Sequence, residues 1–182
     1  MSIGREEAAQ ALKDAEAAAG RSAAATRYQQ TSGYLILWGL VWAFGNLAAW
    51  LHAPDQNLVW FGLTLAGVIG SFVLGVRRSK SGPGGGLKAL LIAFAIAGFG
   101  FGVSAINAFH SFEQYEAIMC LAVGAAYVVL GTQTGLRMSA VGAAIMLVTV
   151  LSWTYARDQF FLWMAIAGGG GLILGGVWMR KV

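Results

Sequence analysis

Six apolar stretches, at residues 33–50, 58–76, 87–109, 117–131, 138–155 and 160–179, constrain this chain more than any other feature. A bilayer core about 30 Å thick is crossed by roughly 20 apolar residues in helical form. Neither proline falls inside these stretches, and the one ionised side chain within their bounds is Lys88, at the start of the third. In hydrocarbon every backbone N–H and C=O must pair within its own segment, so runs of this length specify helices. The expected fold is an all-α polytopic membrane protein. Six transmembrane helices occupy residues 31–182, preceded by a cytoplasmic tail over residues 1–30. The fourth stretch is the shortest and can extend through Thr132-Gln133-Thr134.

Composition narrows the functional classes. Hydrophobic residues make up 58% and charged residues 11%, with a mean hydropathy of +0.66. Soluble domains carry about 25% charged residues. A soluble enzyme and a disordered regulator are therefore excluded, and one cysteine excludes an intrachain disulfide scaffold. The net charge of +4 comes from residues flanking the apolar stretches, so a membrane explains it and nucleic acid is not an expected partner. No segment interleaves basic with aromatic residues as nucleic-acid binding requires. A glycine-rich phosphate loop with its lysine, a paired zinc-protease motif and a nucleophile elbow are all missing from the sequence. The expectation is a non-enzymatic protein with no cofactor.

The loops predict an orientation. Eleven of the twelve Lys and Arg would share one side: Arg5, Lys13, Arg21 and Arg27, then Arg77, Arg78, Lys80 and Lys88, then Arg137, then Arg180 and Lys181. The other side has Arg157, together with Asp55, Glu113, Glu116, Asp158, His52 and His110. Lys/Arg bias sets topology, which predicts both termini in the cytoplasm. Trp50, Trp60, Phe112, Tyr115, Trp153 and Trp163 gather toward the outer ends as an interfacial belt, while Trp38 and Trp42 sit one turn apart inside the first stretch. The N-terminal region lacks the basic start and apolar run of a signal peptide. Its Ala, Glu and Lys predict a helix over Glu6–Ala25 with a thin apolar face. That helix is either solvated or a docking element for a protein partner. A bacterial inner membrane suits the charge bias.

Three outer turns read alike: His52-Ala53-Pro54-Asp55-Gln56, His110-Ser111-Phe112-Glu113-Gln114 and Tyr155-Ala156-Arg157-Asp158-Gln159. An outward-pointing helical hairpin used three times is the expected unit. The flexible linker Ser79–Gly86 makes the clearest break in the chain. Small residues at four-residue spacing predict close helix contacts: Gly67, Ser71 and Gly75; Gly98 and Gly102; and, in the last stretch, Gly171 and Gly175. The run Gly168–Gly171 is read three ways: tight packing against Trp38 or Trp42, a hinge lining a pathway, or an oligomer interface.

Two groups of polar residues are candidates for function. Asn46, Thr64, Ser71, Ser104, Asn107, Thr149 and Ser152 line a polar path or else bond between helices. His52, Asp55, His110, Glu113, Glu116 and Asp158 face one compartment. Such a set can bind a divalent metal or sense pH. Alternatively, its carboxylates cap the helices that follow them. The positions of His52 and His110 at span ends, and not mid-span, argue against haem ligation. The absence of ionisable residues deep in a span argues against proton coupling. Two functions compete. One is a small passive channel or facilitator, gated at the outer cluster. The other is a non-transporting membrane subunit holding a protein partner through residues 1–30. A homo-oligomer fits either.

Overall fold

The computed structural model describes residues 4–78, 102 and 111–181, with the backbone alone for residues 5, 6, 21, 24, 77 and 78. The expected span at 87–109, the linker Ser79–Gly86, and with them Gly98, Ser104, Asn107 and His110, lie outside the described residues. Gly102 is described singly, as helical.

Among the described residues every regular element is helical. They are α1 (Arg5–Trp50), α2 (Gln56–Arg78), α3 (Phe112–Thr134) and α4 (Leu136–Tyr155), then a 3-10 turn (Arg157–Gln159), α5 (Phe160–Trp163), a π-helical segment (Met164–Gly169) and α6 (Gly170–Arg180). Five stretches among the described residues are long and apolar enough to cross a membrane: Glu7–Trp50, Gln56–Val76, Phe112–Thr134, Leu136–Tyr155 and Arg157–Arg180. Two boundaries differ from the hydropathy reading. The tail and the first apolar stretch form one unbroken helix. Helix α3 starts at Phe112, so it takes in Glu113 and Glu116, and it runs on through Thr134.

Lipid tails give helices no hydrophobic reason to associate, so close backbone approach must hold them. Glycines supply it along α1. A Cβ on Gly39 would lie 2.8 Å from the Gly169 carbonyl oxygen, and one on Gly169 would lie 2.6 Å from the Ala43 nitrogen. Further along, Gly176 meets the Ser32 carbonyl in the same way. These contacts lay α1 along the last helical stretch. On another face of α1, Gly67 of α2 packs beneath Val41 and Trp38, Gly70 beneath Leu37, and Gly75 beside the Tyr34 hydroxyl. The Trp38 indole Nε1 donates to Ser71 Oγ at 3.1 Å.

Helices α3 and α4 form an antiparallel pair reversed at Gly135. Its φ of 130° with ψ of 152° is a backbone conformation open almost only to glycine. Gly131 lies against Ser139 just beyond the turn, and Ser139 Oγ donates to the Val128 carbonyl at 3.0 Å. Leu35, Cys120, Met138, Val141, Ile145, Phe160, Met164, Leu172 and Met179 make the buried core between α1, the α3–α4 pair and the last stretch. Most of α2 stays uncovered, with Leu58, Phe61, Leu65, Ile69 and Phe72 exposed, as suits a helix facing lipid.

The four glycines divide into two pairs. Gly168 and Gly169 close the π-helical segment, where Gly168 approaches Met164 and Trp42, and Gly169 touches Ala43. Gly170 and Gly171 face open space. Met164 Sδ, in the first residue of the π-helical segment, lies 3.8 Å from Thr149 Oγ1 and 3.9 Å from Ser152 Oγ. Trp38 contributes to the α2 contact and not to this one.

Candidate functional site

Contacts define two ends of the bundle. At one end a chain of rings runs from Trp60 through Phe112 and Phe161 to Phe160 and Trp153, with centroid separations of 5.7–6.4 Å. At the other end Arg137 meets Tyr28 and Trp178, and Arg180 meets Ser32. The sequence-predicted outer cluster belongs to the ring end, but its described members are spread over it.

His52 and Asp55 are exposed, and both have positive φ, 52° and 55°. His52 occupies the left-handed position that ends α1. The Ala53 N–H donates to the Ala48 carbonyl at 3.0 Å and the His52 N–H to the Ala49 carbonyl at 3.1 Å, the paired bonds of a Schellman cap. Asp55 directly precedes α2, and its backbone carbonyl accepts from Leu58 and Val59. Ser111 caps α3, its hydroxyl accepting from the Gln114 N–H at 3.2 Å. The Ser111-Phe112-Glu113-Gln114 pattern is a legible capping signature that the sequence reading passed over. Glu113 sits in the first turn, 4.0 Å from Arg157 Nε, with the Arg157 side chain exposed and its own partly so. An exposed pair at that distance contributes little. Asp158 is exposed in the 3-10 turn. The first and third outer turns thus have different backbones despite their similar sequences. Among the described residues no three His, Cys, Asp or Glu gather as a metal site.

Glu116 departs from this exposed set. It is 7% exposed, one turn into α3, and its carboxyl lies beside the Asn46 side chain of α1, which is fully buried. Asn46 Nδ2 also donates to the Trp42 carbonyl at 3.0 Å. Trp60 lies on neighbouring Gly45, where a Cβ would meet its ring at 2.8 Å. Asn46 Oδ1, Glu116 Oε2, Gln56 Nε2 and Trp60 Nε1 are buried without a hydrogen-bond partner among the described residues. Sequence reasoning placed Asn46 in the polar path and Glu116 in an outer loop, and the structure joins them. The other path residues separate: Thr64 is exposed, Ser71 is engaged by Trp38, and Thr149 and Ser152 bond back to Ile145 and Val148 within α4.

The opposite end forms a collar around α1. The Arg137 guanidinium lies 5.5 Å from the Tyr28 ring centroid and 4.8 Å from that of Trp178, and its Nη1 donates to the Trp178 carbonyl at 3.0 Å. A planar guanidinium stacks on rings while still donating in its plane, which an ammonium cannot do. The Tyr28 hydroxyl fills the space a side chain at residue 135 would take. Arg180 Nε donates to Ser32 Oγ at 3.4 Å. Beyond the collar, the side chains from Glu7 to Gly20 are all exposed. From Arg5 to Tyr28, α1 projects about 35 Å at 1.5 Å per residue.

Among the described residues these features define an all-helical protein with five helices long and apolar enough to cross a membrane. No protein-family model, curated protein or solved structure matches the chain.

Proposed function

We propose that the chain is a membrane-anchoring subunit that holds a cytoplasmic protein partner on its N-terminal helix. In this reading the protein sits in a bacterial inner membrane with both termini cytoplasmic, and residues 87–109 supply a sixth span. The hairpin repeat rests on the sequence likeness of the outer turns alone. One observation carries the anchoring reading. Helix α1 passes without a break from an exposed projection into the packed bundle, and the collar at Tyr28, Arg137 and Trp178 grips it where it enters. A flexible tail would tether a partner, whereas a gripped helix also fixes the partner's position relative to the membrane. An exposed helix of this length with a thin apolar face gains most of its stability from what it packs on. Deleting Ser2–Ala25 should release the partner from protein extracted gently from its own membrane, with the membrane core still folded. Native mass spectrometry reads this directly, and a partner retained after deletion would overturn the proposal.

A second reading, a passive facilitator for a small solute, is favoured by the buried pair of Asn46 and Glu116. Intramembrane ionisable groups mark solute and ion paths more often than other buried residues do. Solute flux into liposomes by the wild type, lost in Glu116→Gln, would move the weight to that reading. His52→Ala with His110→Ala, leaving the pH dependence of flux unchanged, would remove outer gating from it.

A further inference from the structure

Between α4 and α6 lies a groove of about 330 Å³. Small residues form its floor: Ala140 and Ala144 on α4, Gly171 and Gly175 on the last stretch. Leu174 borders it, and Trp178 stands at its basic end. A Cβ on Gly171 would meet nothing within 4 Å. The lining offers no hydroxyl, amide or charged side chain, so a polar solute or bare ion would enter it without partners. An aliphatic chain loses nothing there and gains dispersion contacts.

Charge sits at one end only. Arg137 donates to the Trp178 carbonyl with one nitrogen and stacks on the Trp178 ring. Arg180 and Lys181 follow two and three residues later, both exposed. None of the three makes an ion pair among the described residues, where Arg157 and Glu113 form the only one. Arg180 turns its Nε to Ser32 of α1, so the groove ends at Arg137 and Lys181. An apolar groove ending in cations is complementary to a molecule with a long apolar body and a negatively charged head.

We propose that this groove binds one anionic phospholipid. An acyl chain lies over Ala140, Ala144 and Gly171, and the phosphate takes its hydrogen bonds from Lys181, with the Arg137 guanidinium beside it at Trp178. Basic pockets between spans recognise anionic headgroups by this chemistry, and guanidinium groups match phosphate geometry through paired N–H donors. The site does not depend on the anchoring reading, and its failure would leave that reading untouched.

The test uses full-length protein in bilayer discs holding phosphatidylglycerol and phosphatidylethanolamine with identical acyl chains, analysed by native mass spectrometry. The wild type should retain one lipid, phosphatidylglycerol, at least ten-fold over its zwitterionic counterpart. Lys181→Gln should lower that preference about five-fold. Ala144→Phe fills the groove and should abolish retention. Ala144→Leu replaces it if the larger residue prevents folding. Equal retention of both headgroups, an unchanged preference in the charge variant, or undiminished retention with the groove filled would each overturn the proposal.

Discussion

Gly124 and Gly142 face one another across the α3–α4 pair, each set where a side chain would strike the other's carbonyl oxygen. A Cβ on Gly142 would lie 2.5 Å from the Gly124 oxygen, and one on Gly124 would lie 2.9 Å from the Gly142 oxygen. The obstacle in both directions is backbone, which cannot turn aside as a flexible side chain can. Gly142→Leu should therefore separate the helices and cost about 2–3 kcal/mol or more. Unfolding in detergent measures this, and a change below about 0.5 kcal/mol would show that the helices do not meet here.

The run of four glycines gives a paired comparison. Gly169 abuts the Ala43 backbone, whereas a Cβ at Gly170 meets open space. Gly169→Ala should destabilise by about 1–3 kcal/mol through overpacking. Gly170→Ala should be neutral or stabilising by up to about 1 kcal/mol, since alanine favours helix. Equal effects at the two positions would mean that the run acts through flexibility.

His52 ends α1 in the left-handed region, at φ 52°, which glycine adopts without strain. His52→Gly should raise stability by about 0.5–1 kcal/mol, and His52→Val should lower it, because a β-branched residue resists positive φ. Opposite signs in thermal unfolding would confirm the cap. A loss with both substitutions would show that the imidazole itself holds the turn.

The helical elements were legible because long apolar stretches bounded by charges leave a chain few alternatives. Hydropathy located the outer end of α1 at Trp50, where the structure also ends it. Its window leaves out the first turn of α3, although Glu113 reads as a residue that begins that helix. Glu116 is polar, so an apolar window begins after it, yet the helix begins a turn earlier at the Ser111 cap and carries Glu116 into contact with Asn46. The glycine contacts show a related limit. Spacing along one helix marks a surface suited to close approach but does not name what approaches. Gly67 meets Trp38 and Gly175 meets Val141, while Gly171 at the same spacing meets nothing. The collar was illegible for the same reason: Tyr28, Arg137 and Trp178 come from three separated segments, and Arg137 read only as a topology charge.

At the collar, Arg137→Lys keeps the charge but loses the planar stack and its in-plane hydrogen bond to the Trp178 carbonyl. It should cost about 1–2 kcal/mol and free the projecting part of α1. Spin labels at Ala18 and Ala143 should give a narrow distance distribution in the wild type and a broad one in Arg137→Lys. An unchanged distribution would locate the rigidity in α1 itself.

Asn46 and Glu116 provide the sharpest test of the buried polar pair. Removing one member leaves the other buried without its partner, which costs more than removing both. Asn46→Leu alone should destabilise by about 2–4 kcal/mol, because the buried Glu116 carboxyl loses the polar side chain beside it. Adding Glu116→Met should recover part of that loss, since the buried carboxyl is gone and an apolar side chain of similar length replaces it. A double-mutant cycle in detergent measures the difference. A double variant less stable than Asn46→Leu would mean that Glu116 pairs elsewhere in the folded protein, and that Asn46 serves only to bond the Trp42 carbonyl.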